Sequence, residues 1–369
     1  MNWTIRAFLY LPYAVFLVNV FAFVRTCGLR VRTQAIWAMA LLACCSKFVC
    51  FEYFGGNAFN PDFPEKFMWL WGWAYSGSII LAFFSVPLCW WHARTKAWLL
   101  PLVAWTISAV GLWSGVKPPD VHEVEVVCAD LPAELDGYRI AQLSDLHVST
   151  AALGWRTRAV VARTNALGAD LICLTGDYVD GKPEKLLPEL EPIRELKARD
   201  GVWAVTGNHE CFRSHWGWRE WYARWGIRFL ENECVFPHAG LALGGVNDFR
   251  VLDPKTGVLN GEYPDVGKAF ASATNGEFRV LLQHQPRAAH ANVEGHGVRL
   301  QLSGHTHGGI MPLLAEFVRR RNGGFVRGLY ELAGGKLYVN PGCGQWAGFP
   351  MRFFDPSEIA LITLRRGGF

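Results

Sequence analysis

Gly137-Tyr138-Arg139-Ile140-Ala141-Gln142-Leu143-Ser144-Asp145-Leu146-His147 is the stretch on which the reading of this chain turns. Arg139 to Leu143 is a short, mostly aliphatic run of the kind that forms a buried strand. It delivers an aspartate and a histidine two positions apart. If extended backbone continues to them, the side-chain period of two points both to one side. Alone, a D-x-H pair is usually a solvated turn, so it gains meaning only from company.

That company lies downstream, in four more clusters: Gly176-Asp177-Tyr178-Val179-Asp180, Gly207-Asn208-His209-Glu210, Leu282-Gln283-His284-Gln285-Pro286 and Gly304-His305-Thr306-His307. Predicted strands are Val121 to Val127, Arg139 to Leu143, Leu171 to Leu174, Val202 to Val205, Leu241 to Val246, Phe278 to Leu282, Arg299 to Leu302 and Lys336 to Val339. Predicted helices are Trp155 to Leu167, Glu184 to Ala198 and about His215 to Trp225. Strands alternating with helices argue for layered α/β packing. Asp145, Asp177, Asn208, His284 and His305 each follow a predicted strand, and in open α/β sheets the loops beyond the strands' carboxyl ends build the site.

Oxygen and imidazole donors without a thiolate suit Mn²⁺, Fe²⁺/³⁺, Zn²⁺ and similar ions. The flanking glycines allow the tight turns and close backbone approach that a metal-lined loop needs. Taken singly, His284 would be an ordinary core histidine and GDxxD a capped loop. Five such clusters in order at strand ends are a different matter. No G-x-S-x-G accompanies them.

The half from about Val121 onward resembles the calcineurin-like metallophosphoesterases, whose signature runs D-x-H, G-D-x-x-D, G-N-H-[ED], a later H, and G-H-x-H. Its finer resemblance is to a bacterial membrane-associated branch that includes lipid A precursor pyrophosphatase-like enzymes. The quoted stretch and the tail, Arg352-Phe353 through Glu358-Ile359 and Leu361-Ile362-Thr363-Leu364, carry that likeness. The resemblance implies a four-layer α/β/β/α sandwich and two divalent ions, Mn²⁺ foremost, with Fe or Zn as alternatives. It implies one ion held by Asp145, His147, Asp177 and His307, and a second by Asp177, Asn208, His284 and His305. Such a pair lowers the pKa of a water and clamps phosphoryl oxygens. In the family the histidine at His209 is no ligand but protonates the leaving oxygen, with Asp180 orienting its ring. Glu210 receives no role.

The other half differs in composition. Of 369 residues 51% are hydrophobic and only 18% charged, and the apolar runs concentrate before about Gly115. The boundary falls at 116/117, where Lys117-Pro118-Pro119 reads as a linker. Residues 1–116 form the apolar region and 117–369 the phosphoesterase half. About 20 apolar residues cross a bilayer. Four stretches approach that length: Ile5 to Val24, Gln34 to Phe54, Phe67 to Trp91 and Trp98 to Trp113, with Lys47 placed to snorkel out of the second. Tryptophans near their ends fit interfacial belts. A cleaved signal peptide fits the first poorly, since three more spans follow it.

Arg25, Arg30 and Arg32 in the first connection, with Arg94 and Lys96 in the third, mark those loops as cytoplasmic. With four spans in a cell membrane, the inner one in bacteria, this orientation puts the phosphoesterase half outside. Net charge of +4 lacks the dense basic stripe of a nucleic-acid binder. Ten cysteines without a CxxC pair read as free thiols. The expected partners are membrane lipids and a phosphorylated small molecule, lipid-linked if two patches serve docking. Phe212, Trp216, Trp218, Trp221, Tyr222 and Trp225 are one, and the segment around Arg319-Arg320-Arg321 the other; the alternative is helix core and a solvated face. Gly181 stands where protein phosphatases carry an arginine after GDxxD, which weakens that substrate class.

Overall fold

The computed structural model describes all residues except 1–2, 26–27, 58–59, 92–98, 151, 214, 251–261, 275, 347, 354 and 368–369. It divides into two compact units: residues 1–116 with 346–353, and residues 117–345 with 354–369.

The first unit is helical: α1 (Trp3–Asn19, continued by a π-helical turn at Val20–Val24), α2 (Val31–Cys45), α3 (Lys47–Phe54), α4 (Glu65–Trp91) and α5 (Leu99–Val116). Residues Glu65–Pro87 and Leu99–Val116 are long and apolar enough to cross a membrane. So are α2 and α3 together, if their 53° bend lies within one span; Leu9–Val24 is shorter. The bend falls at Ser46, whose hydroxyl donates to the Leu42 carbonyl at 2.7 Å, a back-bond that commonly bends helices. Lys47 does not snorkel. It is wholly buried, donates to the Gly348 carbonyl at 2.9 Å and faces the rings of Phe48, Phe51 and Tyr75. Sequence alone could not show this, because its acceptor is 301 residues away. The segment Trp346–Phe353 is part of this unit because it is apolar enough to pack there: Trp346 stacks on Phe48, Pro350 abuts Gly72 and Phe353 abuts Gly111.

The second unit holds two six-stranded mixed sheets. The strands are β1 (Asp120–Cys128), β2 (Arg139–Leu143), β3 (Leu171–Leu174), β4 (Val202–Ala204), β5 (Arg228–Phe229), β6 (Glu233–His238), β7 (Leu241–Gly245), β8 (Phe278–Leu282), β9 (Leu300–Ser303), β10 (Gly328–Leu332), β11 (Gly335–Val339) and β12 (Glu358–Arg366). One sheet runs β1-β12-β2-β3-β4-β5 and the other β10-β11-β9-β8-β7-β6. Strands β2, β3 and β4 are parallel neighbours, as are β7, β8 and β9, so within each trio the carboxyl ends share one edge.

One core cluster joins the sheets, with Ile140, Leu171 and Ile362 from the first and Leu243, Val280 and Leu302 from the second. Another covers the opposite face of the first sheet with residues of α6 (Gly154–Ala166), α7 (Pro183–Leu190) and α9 (His215–Arg224), among them Val160, Leu186, Trp218 and Tyr222. On the second sheet Ala242 and Leu281 pack with Val293 of α10 (Ala289–His296). The helix expected over 184–198 stops at Leu190 and continues as a 3₁₀ turn at Glu191–Glu195. Pro192, with no N–H to give, accounts for the break.

Candidate metal centre

The five clusters converge. Each follows a strand: Asp145 lies two residues beyond β2, Asp177 three beyond β3, Asn208 four beyond β4, His284 two beyond β8 and His305 two beyond β9. The same-side argument from strand alternation does not hold, however. Asp145, His147, Asp177, His305 and His307 all have positive φ, from 46° to 71°. Strands end before the ligands, and left-handed turns aim them. Such backbone costs a non-glycine residue roughly 1–2 kcal/mol, and its recurrence at five candidate ligands marks a site held in place by its surroundings.

Each carboxylate commits one oxygen to the scaffold and turns the other inward. Asp145 Oδ2 accepts from the Ser144 hydroxyl at 2.6 Å and the His305 N–H at 3.0 Å. Its Oδ1 is buried with no hydrogen-bond partner, 3.8 Å from His147 Nε2 and 3.5 Å from His307 Nε2. Asp177 Oδ1 accepts the His209 N–H at 2.8 Å, while Oδ2 lies 3.2 Å from His284 Nε2 and 3.7 Å from His147 Nε2. His284 Nδ1 lies 2.7 Å from the Thr175 carbonyl and so carries the hydrogen, leaving the Nε2 lone pair inward. Asn208 Oδ1 is also buried without a partner.

Glu210, given no role from sequence, proves to be the brace. Its carboxylate accepts from the N–H groups of Gly207, Asp177 and Tyr178, each at 2.8 Å. It ties the Gly176–Asp180 loop to the start of α8 (Asn208–Arg213). The E of G-N-H-E was the available signal.

Asp180 reaches two imidazoles, His209 Nδ1 at 2.6 Å and His147 Nδ1 at 3.1 Å. Burial would raise its pKa, but the two histidines outweigh burial and hold it down at about 2. Burial would lower His209, but Asp180 and then Asp177 hold it up at about 10. Its ring keeps 17% exposure, so it borders the donor cluster from the accessible side.

The arrangement fits divalent cations. Asp145, His147 and His307 offer three donors within 4.8 Å of one another, and Asp177, His284 and His305 three more. His147 Nε2 and His307 Nε2 face each other at 3.0 Å, and inward lone pairs from Asp145, Asn208 and His284 have no hydrogen to receive. Buried acceptors of that kind are costly unless a cation joins them. His147, Asp177 and His209 form a third group at the same spacing, so Asp177 is common to two groups.

Among the described residues no disulfide joins the eight cysteines; Cys27 and the Cys89 side chain lie outside the description. Of the aromatic patch, Trp218 and Tyr222 are core residues with Trp221 and Trp225 packed against them, because α9 must cover the first sheet. The Phe212 and Trp216 side chains lie outside the described residues.

Residues 138–309 match the family model described as Calcineurin-like phosphoesterase. An uncharacterized metallophosphoesterase of Helicobacter pylori is 33% identical over 258 residues, covering 69% of this chain and 66% of that protein. A zebrafish (Danio rerio) transmembrane protein with metallophosphoesterase domain is 33% identical over 280 residues, covering 73% of this chain and 62% of its own length. An uncharacterized metallophosphoesterase of Bacillus subtilis is 28% identical, covering 72% and 93%. The chain thus spans a little under two thirds of the first two relatives. Motif order, strand-end placement and these relatives agree: the chain carries a calcineurin-like metallophosphoesterase domain.

Proposed function

We propose that this protein is a membrane-anchored phosphoesterase that uses two divalent ions, Mn²⁺ first, to hydrolyse a phosphodiester or pyrophosphate bond in a lipid-linked substrate. The observation that carries the reading is the set of buried, unpartnered donor atoms of Asp145, Asn208 and His284 facing inward among four histidines. Asp145, His147, Asp177 and His307 would hold one ion; Asp177, Asn208, His284 and His305 the other. Bound there, the ions supply Lewis acidity toward phosphoryl oxygens and a more acidic water. The protein's own part is to position these donors and to supply a proton. His209, held protonated by Asp180, delivers that proton to the leaving oxygen from the open side of the cluster.

Anchoring is supported by the two or three helices long enough to cross a bilayer and by large apolar side chains exposed along them, such as Met39, Leu70, Phe83 and Leu102. Relatives named as transmembrane proteins point the same way. A lipid-linked substrate is supported by α11 (Pro312–Arg321). This helix exposes Leu314 and Phe317 beside Arg319, Arg320 and Arg321, a composition suited to an anionic bilayer surface. Helix cover on the outer face of each sheet supports the four-layer arrangement.

The test is hydrolysis of p-nitrophenyl phosphate, bis-p-nitrophenyl phosphate and a lipid-linked diphosphate, with added Mn²⁺ and with excess chelator. We expect metal-dependent cleavage of the second or third. Full activity in metal-free protein overturns the reading.

A further inference from the structure

The layer between the two sheets is aliphatic where Ile140, Leu171 and Ile362 meet Leu243, Val280 and Leu302. Gln142 of β2 is a polar side chain in that layer. It stands two residues along the strand from Ile140, hence on the same face, and is wholly buried. Its Nε2 donates to the Ser303 carbonyl of β9 at 2.9 Å and to Thr175 Oγ1 at 3.0 Å. One acceptor belongs to the second sheet and the other to the loop leaving β3 of the first. A single amide therefore bridges the sheets at the end where the candidate ligands gather.

Both acceptors lead to candidate ligands. The Thr175 carbonyl holds His284 Nδ1 at 2.7 Å, and Asp177 follows two residues later. Ser303 precedes Gly304, whose N–H donates to the His284 carbonyl at 2.9 Å, and then comes His305. Across the gap so bridged, Asp177 Oδ2 and His284 Nε2 meet at 3.2 Å. Ser303 is itself held. Its hydroxyl donates to the Gln283 carbonyl at 2.7 Å and accepts from Gln301 Nε2 at 3.0 Å. Behind these, Asn292 of α10 donates to Gln283 Oε1 at 2.7 Å and to Gln301 Oε1 at 2.9 Å. The far end of the bridge is therefore braced.

Packing alone gives no reason for this amide. Gln142 Oε1 is buried and, among the described residues, accepts no hydrogen bond, which costs on the order of 1–3 kcal/mol. A methionine would fill similar space without that cost, but it could not hold Ser303 and Thr175 at a fixed separation. We propose that Gln142 is a positioning residue. It sets the gap between the sheets at which Asp177 of the first meets His284 and His305 of the second, and so tunes the metal position those three residues form. The inference rests on the two-ion reading above and adds to it a side chain that is not among the donors.

The test reads metal binding and fold stability rather than turnover. Full-length metal-free protein in detergent is titrated with Mn²⁺, the free ion being followed by electron paramagnetic resonance, and thermal unfolding is recorded without metal. Wild type should take up two equivalents. Gln142→Met should weaken one of them roughly 10- to 100-fold, the range for a lost outer partner of a metal ligand, and leave the other nearly unchanged. It should also keep or raise the unfolding midpoint, which loss of a purely structural bond would lower. Thr175→Val, which keeps shape and removes one of the two acceptors, should weaken the same equivalent roughly threefold to tenfold. If Gln142→Met binds both equivalents as tightly as wild type, or weakens both alike, the positioning role is overturned while the two-ion reading stands. A wild type that binds no Mn²⁺ would sink that reading, and the role of Gln142 with it.

Discussion

Five candidate ligands stand on left-handed backbone, and the loops that carry them approach so closely that single atoms decide the geometry. A Cβ on Gly304 would collide with Ser144 Oγ and Asp145 Oδ2. Gly304→Ala should therefore lower bound metal at the Asp145 position and reduce turnover at least tenfold; unchanged metal content by mass spectrometry would refute this. Asp177→Asn should deplete both positions, since this carboxylate faces His284 and His147 at once. A variant that loses a single equivalent would show that Asp177 is not shared. Asp180→Asn tests the proton donor. A general acid works while protonated, so its rate falls as pH rises through its pKa. His209 is held up at about 10 chiefly by Asp180 against burial. Removing that charge lowers the pKa and moves the alkaline limb of kcat/KM to lower pH. A limb that stays in place would mean His209 is not the acid.

At the scale of elements, the α9 helix decides between the two readings of its aromatic residues and gives a measurable stability. Residues 215–224 do form a helix, but Trp218 and Tyr222 are buried in the core of the first sheet instead of facing a lipid tail. Trp218 also donates to the Gly181 carbonyl at 2.7 Å, tying α9 to the GDxxD loop. Trp218→Ala should cost about 3–5 kcal/mol of stability, read by denaturant unfolding; a loss under 1 kcal/mol would contradict the packing. The central strands β2, β3 and β8 were legible because each is a short apolar run with a turn signal beyond it. Strand β12 was not, although it pairs with β1 over nine residues and with β2 on its other side. Both pairings join segments more than 200 residues apart, a relation that no local window contains. Strands β5 and β10 alternate too weakly to announce themselves.

For the molecule as a whole, the side on which the second unit would lie follows from the number of helices that cross a membrane. With the first connection read as cytoplasmic from Arg25, Arg30 and Arg32, four crossings would put residue 369 outside. Counting only the two or three helices long enough to span changes the parity with the count, so orientation is an experimental matter. Alkaline phosphatase fused after Phe369 should be active; fluorescence from a cytosol-only reporter at that position would reverse the assignment. Lys47 belongs to this scale too. It looked like a flaw in a span, yet it holds the carbonyl of Gly348, so a segment from late in the chain completes the helical unit.

What the sequence determined by itself is the family and the motif residues that the fold brings together. Chemistry demands particular residue types, and in this fold they fall at strand ends within short motifs that a linear reading can see. Tertiary structure decided what depends on distant segments meeting: Glu210 as the brace of two loops and the left-handed aim of the candidate ligands. It also decided that Trp346–Phe353 packs with the helices. The reason is physical. A donor's identity is local, but its partners, burial and direction are set by side chains brought near only when the whole chain folds.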